Sequence, residues 1–232
     1  MRGKVIGIEG LIGAGKTEFS KALATSLGSE TQLFIEPDEK DNANPYLARY
    51  YEDAARWSFT MQIHLLSLRF RIHKQAQWFA MNTGGSAVID RTYQGDTAFA
   101  RLQYRNGLVD DNEFATYQNI YHAMTASVLL PTVCIHLITK PETSVVRINK
   151  RMQEQTGRQC ESSIPIEYLI GLDQEIHRMV EVLDQQGVQI IKLDWDVPRS
   201  AQEITQAAQE IAQVILSKTT PDLFLDLHRR TI

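Results

Sequence analysis

The sequence predicts an α/β fold organised on a parallel five-stranded sheet, and three observations carry that expectation. Short apolar runs alternate with helical periodicities along most of the 232 residues. The first apolar run, Val5-Ile6-Gly7-Ile8, leads into Gly10-Leu11-Ile12-Gly13-Ala14-Gly15-Lys16-Thr17, which has the spacing GxxxxGK[ST] between a strand and a helix. A hydrophobic content of 43% supplies one substantial core without disulfide staples, so residues 1–232 are read as a single domain.

Taken in order, the first strand spans 4–9 and the helix that follows the glycine turn spans 16–27. A second strand, 33–36, ends at Glu36 before Pro37. Residues 49–81 read as one long helix, because Trp57, Phe59, Ile63, Leu66 and Phe70 form an apolar stripe at helical spacing. The third strand is 87–90, followed by helices 97–106 and 111–129. The fourth strand, 133–138, encloses Cys134 in an apolar run; helices 142–153 and 165–185, strand 189–193 and helix 200–217 complete the alternation. The stretch 219–232 receives no assignment; its Phe224, Leu225 and Leu227 suit docking on the body or on a second subunit.

Twenty-four Lys and Arg against 28 Asp and Glu give a formal net charge of -4, so no basic field recommends a nucleic acid polymer; free nucleosides and nucleotides suit the chain better. Two cysteines, without C-x-x-C or metal spacing, imply a buried thiol at Cys134 and an incidental one at Cys160. No apolar stretch approaches the ~20 residues that cross a bilayer. A soluble, cytoplasmic setting is expected.

The glycine turn is the centre of the expected chemistry. Gly10, Gly13, Ala14 and Gly15 let backbone N–H groups converge on phosphate, the following helix adds its positive end, and Lys16 brings a full charge. Thr17 is then the natural hydroxyl ligand for Mg²⁺. In an open parallel sheet the ligand crevice lies beyond the carboxyl ends of the strands, and Glu9, Glu36 and Asp90 stand at three of those ends. Each acid alone also suits a helix cap or a loop anchor. Around one phosphate loop, Asp90 suits Mg²⁺, directly or through water, Glu36 suits the acceptor hydroxyl, and Arg91 lies against the phosphates.

Gln62 and Arg69 are seven apart on one face of the long helix, where an amide and a guanidinium need partners. Asp96 serves as one partner, and the edge of a nucleobase as the other; a purely structural Arg69–Asp96 ion pair is the competing reading. Later in the chain, Arg147 and Arg151 share a helix face and Arg158 and Glu161 follow a polar insert. These arginines form either a solvated helix face or a lid over about 147–163 that neutralises transferring phosphoryl oxygens.

Together these residues resemble the deoxynucleoside kinase family. The most specific piece is Tyr51-Glu52 through Arg56-Trp57-Ser58-Phe59-Thr60-Met61-Gln62, which is similar to the family's Tyr-Glu…Arg-Trp-Ser-Phe-x-x-Gln segment. The resemblance implies a three-layer P-loop kinase fold with an arginine-bearing lid and ATP as phosphoryl donor with Mg²⁺. It assigns Glu36 as the base toward the 5′-hydroxyl and Asp90-Arg91-Thr92 as the family's Asp/Glu-Arg-Ser motif. It further implies base recognition by Gln62, Arg69 and Asp96, stacking by Phe99, and contacts from Tyr51 and Glu161 to the sugar 3′-hydroxyl. Arg147, Arg151 and Arg158 match lid arginines and Asp194 the loop toward the donor's adenine, with homodimerisation through the long helices. This chain departs from the pattern where Met152 to Gly157 intervenes in the lid and where residues 39–45 lack a tryptophan. The implied function is phosphorylation of a deoxynucleoside 5′-hydroxyl, with amino-bearing bases preferred over thymine. The alternatives are a thymidylate-type monophosphate kinase and a catalytically silent nucleotide-binding subunit.

Overall fold

The computed structural model describes residues 3–35, 44–154 and 164–217. Among them, β1 (Val5–Gly10), β2 (Gln32–Phe34), β3 (Ala87–Asp90), β4 (Val133–Ile138) and β5 (Gln189–Asp194) form one sheet in the order β2-β3-β1-β4-β5. Every adjacent pair is parallel. The crossovers run through α1 (Lys16–Leu27), α2 (Leu47–Glu52), α3 (Ala54–Thr83), α4 (Tyr93–Arg105), α5 (Asp111–Thr125), α6 (Pro141–Glu154), α7 (Ile166–Gln185) and α8 (Ala201–Ser217). From β1 the chain moves outward to β2, returns through β3, and only then crosses to β4. The order therefore reverses at β1, where such folds bind ligands.

Alternation along the strands produces three layers. Ile6 and Ile8 of β1, Val88 of β3 and Val133, Ile135 and Leu137 of β4 face α1 and α8, packing on Phe19, Leu23, Ala208, Ala212 and Ile215. On the opposite face Cys134 and Leu11 pack against Ala98 and Leu102 of α4 and Leu172 and Ile176 of α7. Val5, Ala87 and Ile89 pack there against Ala76 and Ala80 of α3. The buried Cys134 is the free thiol expected, whereas Cys160 falls outside the described residues. Lys4, buried at the foot of β1, donates from Nζ to the carbonyl of Ile215 and so closes the last turn of α8.

The helix boundaries depart most from those expected in three places. The long helix is two, because Asp53 leaves helical geometry (φ -146°, ψ 81°) and its side chain accepts from Arg56 N as the N-cap of α3. Helix α4 begins at Tyr93, earlier than residue 97, because Thr92 caps it by accepting from Gly95 N. Helix α5 opens with a capping box between Asp110 and Glu113, and ends at Thr125.

His73 of α3 is completely buried, its Nε2 3.0 Å from the carbonyl of Leu129 and its ring edge-on to Tyr93. A carbonyl only accepts, so Nε2 carries the proton and Nδ1 has no hydrogen-bond partner. Burial outweighs the Leu129 bond and lowers the His73 pKa to about 4. The unfolded chain thus takes up a proton below about pH 6.5 that the native protein refuses, so this residue's linkage favours unfolding as pH falls. We expect a His73→Gln variant to gain about 2 kcal/mol relative to wild type between about pH 7.5 and about pH 5. Urea unfolding at the two pH values measures it, and an unchanged difference contradicts the assignment.

Candidate active site

The phosphate loop closes the carboxyl end of β1. Gly13 (φ 78°) and Gly15 (φ 87°) take left-handed geometry that glycine adopts freely, and Gly15 caps α1 without a side-chain bond. The first N–H groups of α1 are thereby left for an anion. A Cβ at Gly13 would stand 3.0 Å from the Ile148 side chain and 3.1 Å from the Ser144 carbonyl, so α6 presses directly on the loop. Lys16 and Thr17 open α1. Lys16 Nζ donates to the carbonyls of Gly10 (3.2 Å) and Leu11 (2.8 Å), which holds the ammonium over the loop. Thr17 Oγ1 donates to Asp90 Oδ2 at 2.5 Å, joining the hydroxyl and the acid that sequence reasoning assigned to Mg²⁺.

A buried carboxylate couples this loop to the end of β3. Glu9 Oε1 accepts from the backbone N of Thr92 (2.8 Å) and from its Oγ1 (2.7 Å). Gly95 lets α4 approach: a Cβ there would lie 2.4 Å from Glu9 Oε2. At Gly7 a Cβ would meet the Thr92 methyl at 2.3 Å. Between these anchors Arg91 has φ 65°, the one positive value at a non-glycine among the described residues. Its Nη2 donates to the Gly10 carbonyl (3.1 Å), Nη1 lies 3.7 Å from Glu9 Oε2, and the guanidinium covers the Phe99 ring at 4.7 Å. Burial raises the Glu9 pKa, opposed by Arg91, Thr92 and Lys16.

Gln62, Arg69, Asp96 and Phe99 converge beside this arginine. Arg69 pairs with Asp96 Oδ1, and both side chains are buried. Tyr117 of α5, which sequence reasoning did not single out, donates to Asp96 Oδ2 at 2.7 Å. Gln62 Nε2 donates to the Asp96 carbonyl at 3.2 Å, which fixes the amide's orientation, and its Oε1 is buried with no hydrogen-bond partner. Phe99 also receives the Arg69 guanidinium at 5.4 Å, so one ring links the two arginines. The Asp96 pKa is raised by burial, against Arg69, Tyr117 and Gln62.

Other expected residues take these positions. Tyr51, at the end of α2, packs edge-on to Tyr50, whose hydroxyl accepts from Gln103 Nε2 at 2.8 Å. Arg147 reaches backward: Nη1 donates to the Ala14 carbonyl (3.3 Å) and Nη2 to those of Trp195 (2.9 Å) and Asp196 (3.2 Å). It thereby clamps the phosphate loop to the segment after β5, where the Asp194 carbonyl accepts from Arg199 at 2.7 Å. Trp195, a second residue missed in the sequence, packs on Phe19 and under Arg199. Arg151 lies one turn beyond Arg147 on α6. Glu36, Arg158 and Glu161 lie outside the described residues, as does 219–232.

A glycine loop, lysine, hydroxyl and acid gathered at the reversal of a parallel sheet define a P-loop phosphotransferase. A family model described as deoxynucleoside kinase matches residues 6–216, and the chain belongs to that family. The deoxyadenosine kinase of Dictyostelium discoideum is 34% identical over 195 residues, covering 84% of this chain and 74% of that one. The deoxyadenosine/deoxycytidine kinase of Bacillus subtilis (strain 168) is 31% identical over 222 residues, covering 92% and 94%. The structure of deoxyadenosine kinase from M. mycoides with bound dATP matches with TM-score 0.73 at 26% identity, covering 93% of this chain and 100% of that one. The chain is an enzyme that phosphorylates deoxynucleosides, and the monophosphate kinase alternative is not favoured.

Because Gly95 leaves no room beside Glu9, Gly95→Ala is expected to cost about 1–3 kcal/mol in stability. Displacement of Arg91 should lower kcat as well. Thermal melts and steady-state turnover check both effects, and a variant matching wild type in each would show that the carboxylate tolerates displacement.

Proposed function

We propose that the protein transfers the γ-phosphoryl group of ATP to the 5′-hydroxyl of a deoxynucleoside whose base carries an exocyclic amino group. The supporting observation is the pairing of two buried acceptors, Gln62 Oε1 without a partner and the Asp96 carboxylate, beside Arg69, whose guanidinium with that of Arg91 covers the Phe99 ring. Acceptors call for a donor: adenine and cytosine bring an amino group where thymine brings a carbonyl, and guanine brings N1–H and its C2 amino group. A wrong base leaves these atoms unpaired at about 1–3 kcal/mol each. The names of the relatives favour purine.

In this reading Glu36 withdraws the 5′-hydroxyl proton as the bond to phosphorus forms, while Lys16 and Arg91 stabilise charge on the transferring oxygens. Thr17 and Asp90 offer the hydroxyl and carboxylate that suit Mg²⁺, which when bound neutralises phosphate charge. Gly10, Gly13, Ala14 and Gly15 cradle the phosphates. Arg151 and Arg158 join them from the lid, and Asp194 lies on the adenine side of the donor. Arg147 acts from behind the loop, through Ala14 and Trp195. Tyr51 and Glu161 hold the sugar 3′-hydroxyl. The setting is cytoplasmic.

A second copy of the chain is proposed to dock on α3, where Phe70, Lys74, Trp78, Phe79 and Met124 line a groove of about 710 Å³ and Trp78 is 64% exposed. A sedimentation mass of one 26.4 kDa chain would argue against this dimer.

The activity is tested by comparing kcat/KM for the four natural deoxynucleosides with labelled ATP. Deoxyadenosine, deoxyguanosine or deoxycytidine is expected to exceed thymidine by about tenfold or more; thymidine ranking first would overturn the specificity. Glu36→Gln should lower kcat by about 10²–10⁴ with nucleoside binding retained. Wild-type turnover in that variant would remove Glu36 from the mechanism.

A further inference from the structure

Base discrimination, on the reading above, rests on Asp96 presenting itself as an acceptor, and the structure contains a device that enforces this. We propose that Tyr117 is the positioning residue that sets base preference: its hydroxyl, donated to Asp96 Oδ2, holds that carboxylate as an acceptor toward the nucleobase. The inference rests on Asp96 facing the base, and the test below separates the two.

The geometry is complete on the protein side. Asp96 is fully buried at the first turn of α4, with Oδ1 on Arg69, Oδ2 on Tyr117, and its backbone carbonyl on Gln62. An ionised carboxylate has about four lone-pair sites, so one protein donor on each oxygen leaves acceptor capacity for an amino group. Tyr117 is 3% exposed and its ring is locked. It lies parallel to Phe114 (6.3 Å, 6°), which stacks on Tyr104 (4.4 Å, 6°), and it meets Tyr121 at 6.3 Å on its other side. The hydroxyl is thus aimed by an aromatic ladder along α5.

The chemistry follows from what surrounds Asp96. Arg69 and Gln62 face it from α3, and Tyr117 and Tyr121 from α5. Burial pushes the carboxyl toward its neutral form; Arg69, Tyr117 and Gln62 oppose that. Burial and Asp96 itself hold the Tyr117 phenol well above its usual pKa, so it remains a donor. Without that O–H, one of the groups that keep Asp96 ionised is gone. A protonated Asp96 donates, and so accepts a base carbonyl that the carboxylate rejects. The phenol therefore sets which edge of the base is read.

The test compares deoxyadenosine with deoxyinosine, in which the amino group is replaced by a carbonyl oxygen. Dissociation constants are measured by calorimetry and kcat by turnover, for the full chain at about pH 6 and about pH 8. Wild type should prefer deoxyadenosine at both. In Tyr117→Phe the preference should fall about tenfold, more at the lower pH than at the higher, and the change should be read in the deoxynucleoside dissociation constants. Tyr117→Leu removes the same O–H without a ring and should show the same pH-dependent loss, which keeps the comparison available if either variant folds poorly. Wild-type preference at both pH values in a folded variant overturns the proposal. Asp96→Asn separates the two levels. If it changes the ratio and the Tyr117 variants do not, the role of Tyr117 alone is refuted. If none changes it, Asp96 does not read the base.

Discussion

The carboxylate of Glu9 sits where β1 becomes the phosphate loop, accepts two hydrogen bonds from Thr92, and faces the guanidinium of Arg91. These contacts tie the ends of two strands that are adjacent in the sheet but separated by more than 80 residues of chain. The groups proposed to act on phosphate are referenced to that junction. The loop carrying Lys16 leaves β1 on one side of it, and Asp90, Arg91 and the start of α4 leave β3 on the other. Thr17 and Asp90 then close a second link across the same gap. Gly7 and Gly95 are required at their positions because a Cβ at either would invade Thr92 or Glu9.

The left-handed backbone of Arg91 acquires a physical reason from this arrangement. Such geometry costs on the order of 1–3 kcal/mol for a residue with a Cβ, and persists only where surrounding contacts over-determine it. Thr92 bound to Glu9 on one side and the Arg91 backbone N bound to the Ile8 carbonyl on the other fix the peptide units around it. The guanidinium is thereby held between the Gly10 carbonyl and Phe99. From Phe99 the network passes to Arg69 and Asp96, so the group expected at the phosphates and the groups expected at the base share one aromatic ring. A nucleoside bridging the two regions would contact one connected polar assembly.

Much of this was legible in the sequence, for identifiable reasons. The strands are continuous apolar runs, and the GxxxxGK[ST] spacing has few structural uses, so β1, the loop and α1 were fixed by local chemistry. The Gln62–Arg69–Asp96 cluster followed from helical spacing and from the need of buried polar groups for partners. The split at Asp53 was hidden because neither Gly nor Pro marks it; an Asp accepting from Arg56 N does the work instead. The start of α4 was obscured because Gln94, Gly95 and Asp96 give its first turn no apolar stripe. Tyr117 and Trp195 gave no signal as site residues: a lone aromatic on a helix or just past a strand ordinarily means core, and only the Asp96 oxygen or the Arg147 clamp reveals its use. Arg147 illustrates the converse, an arginine found by motif whose guanidinium is engaged by four loop carbonyls.

The dependence of catalysis on the Glu9 junction is tested most directly by Glu9→Ala, with turnover and nucleoside affinity measured on the same folded preparation. Asp96, Gln62 and Arg69 are held by one another and by Tyr117, with no hydrogen bond to Glu9 among the described residues, whereas Arg91 and the phosphate loop lose their shared anchor. The expected result is a fall in kcat of about a hundredfold with a deoxynucleoside Kd within a few fold of wild type. Turnover close to wild type in that variant would contradict the account.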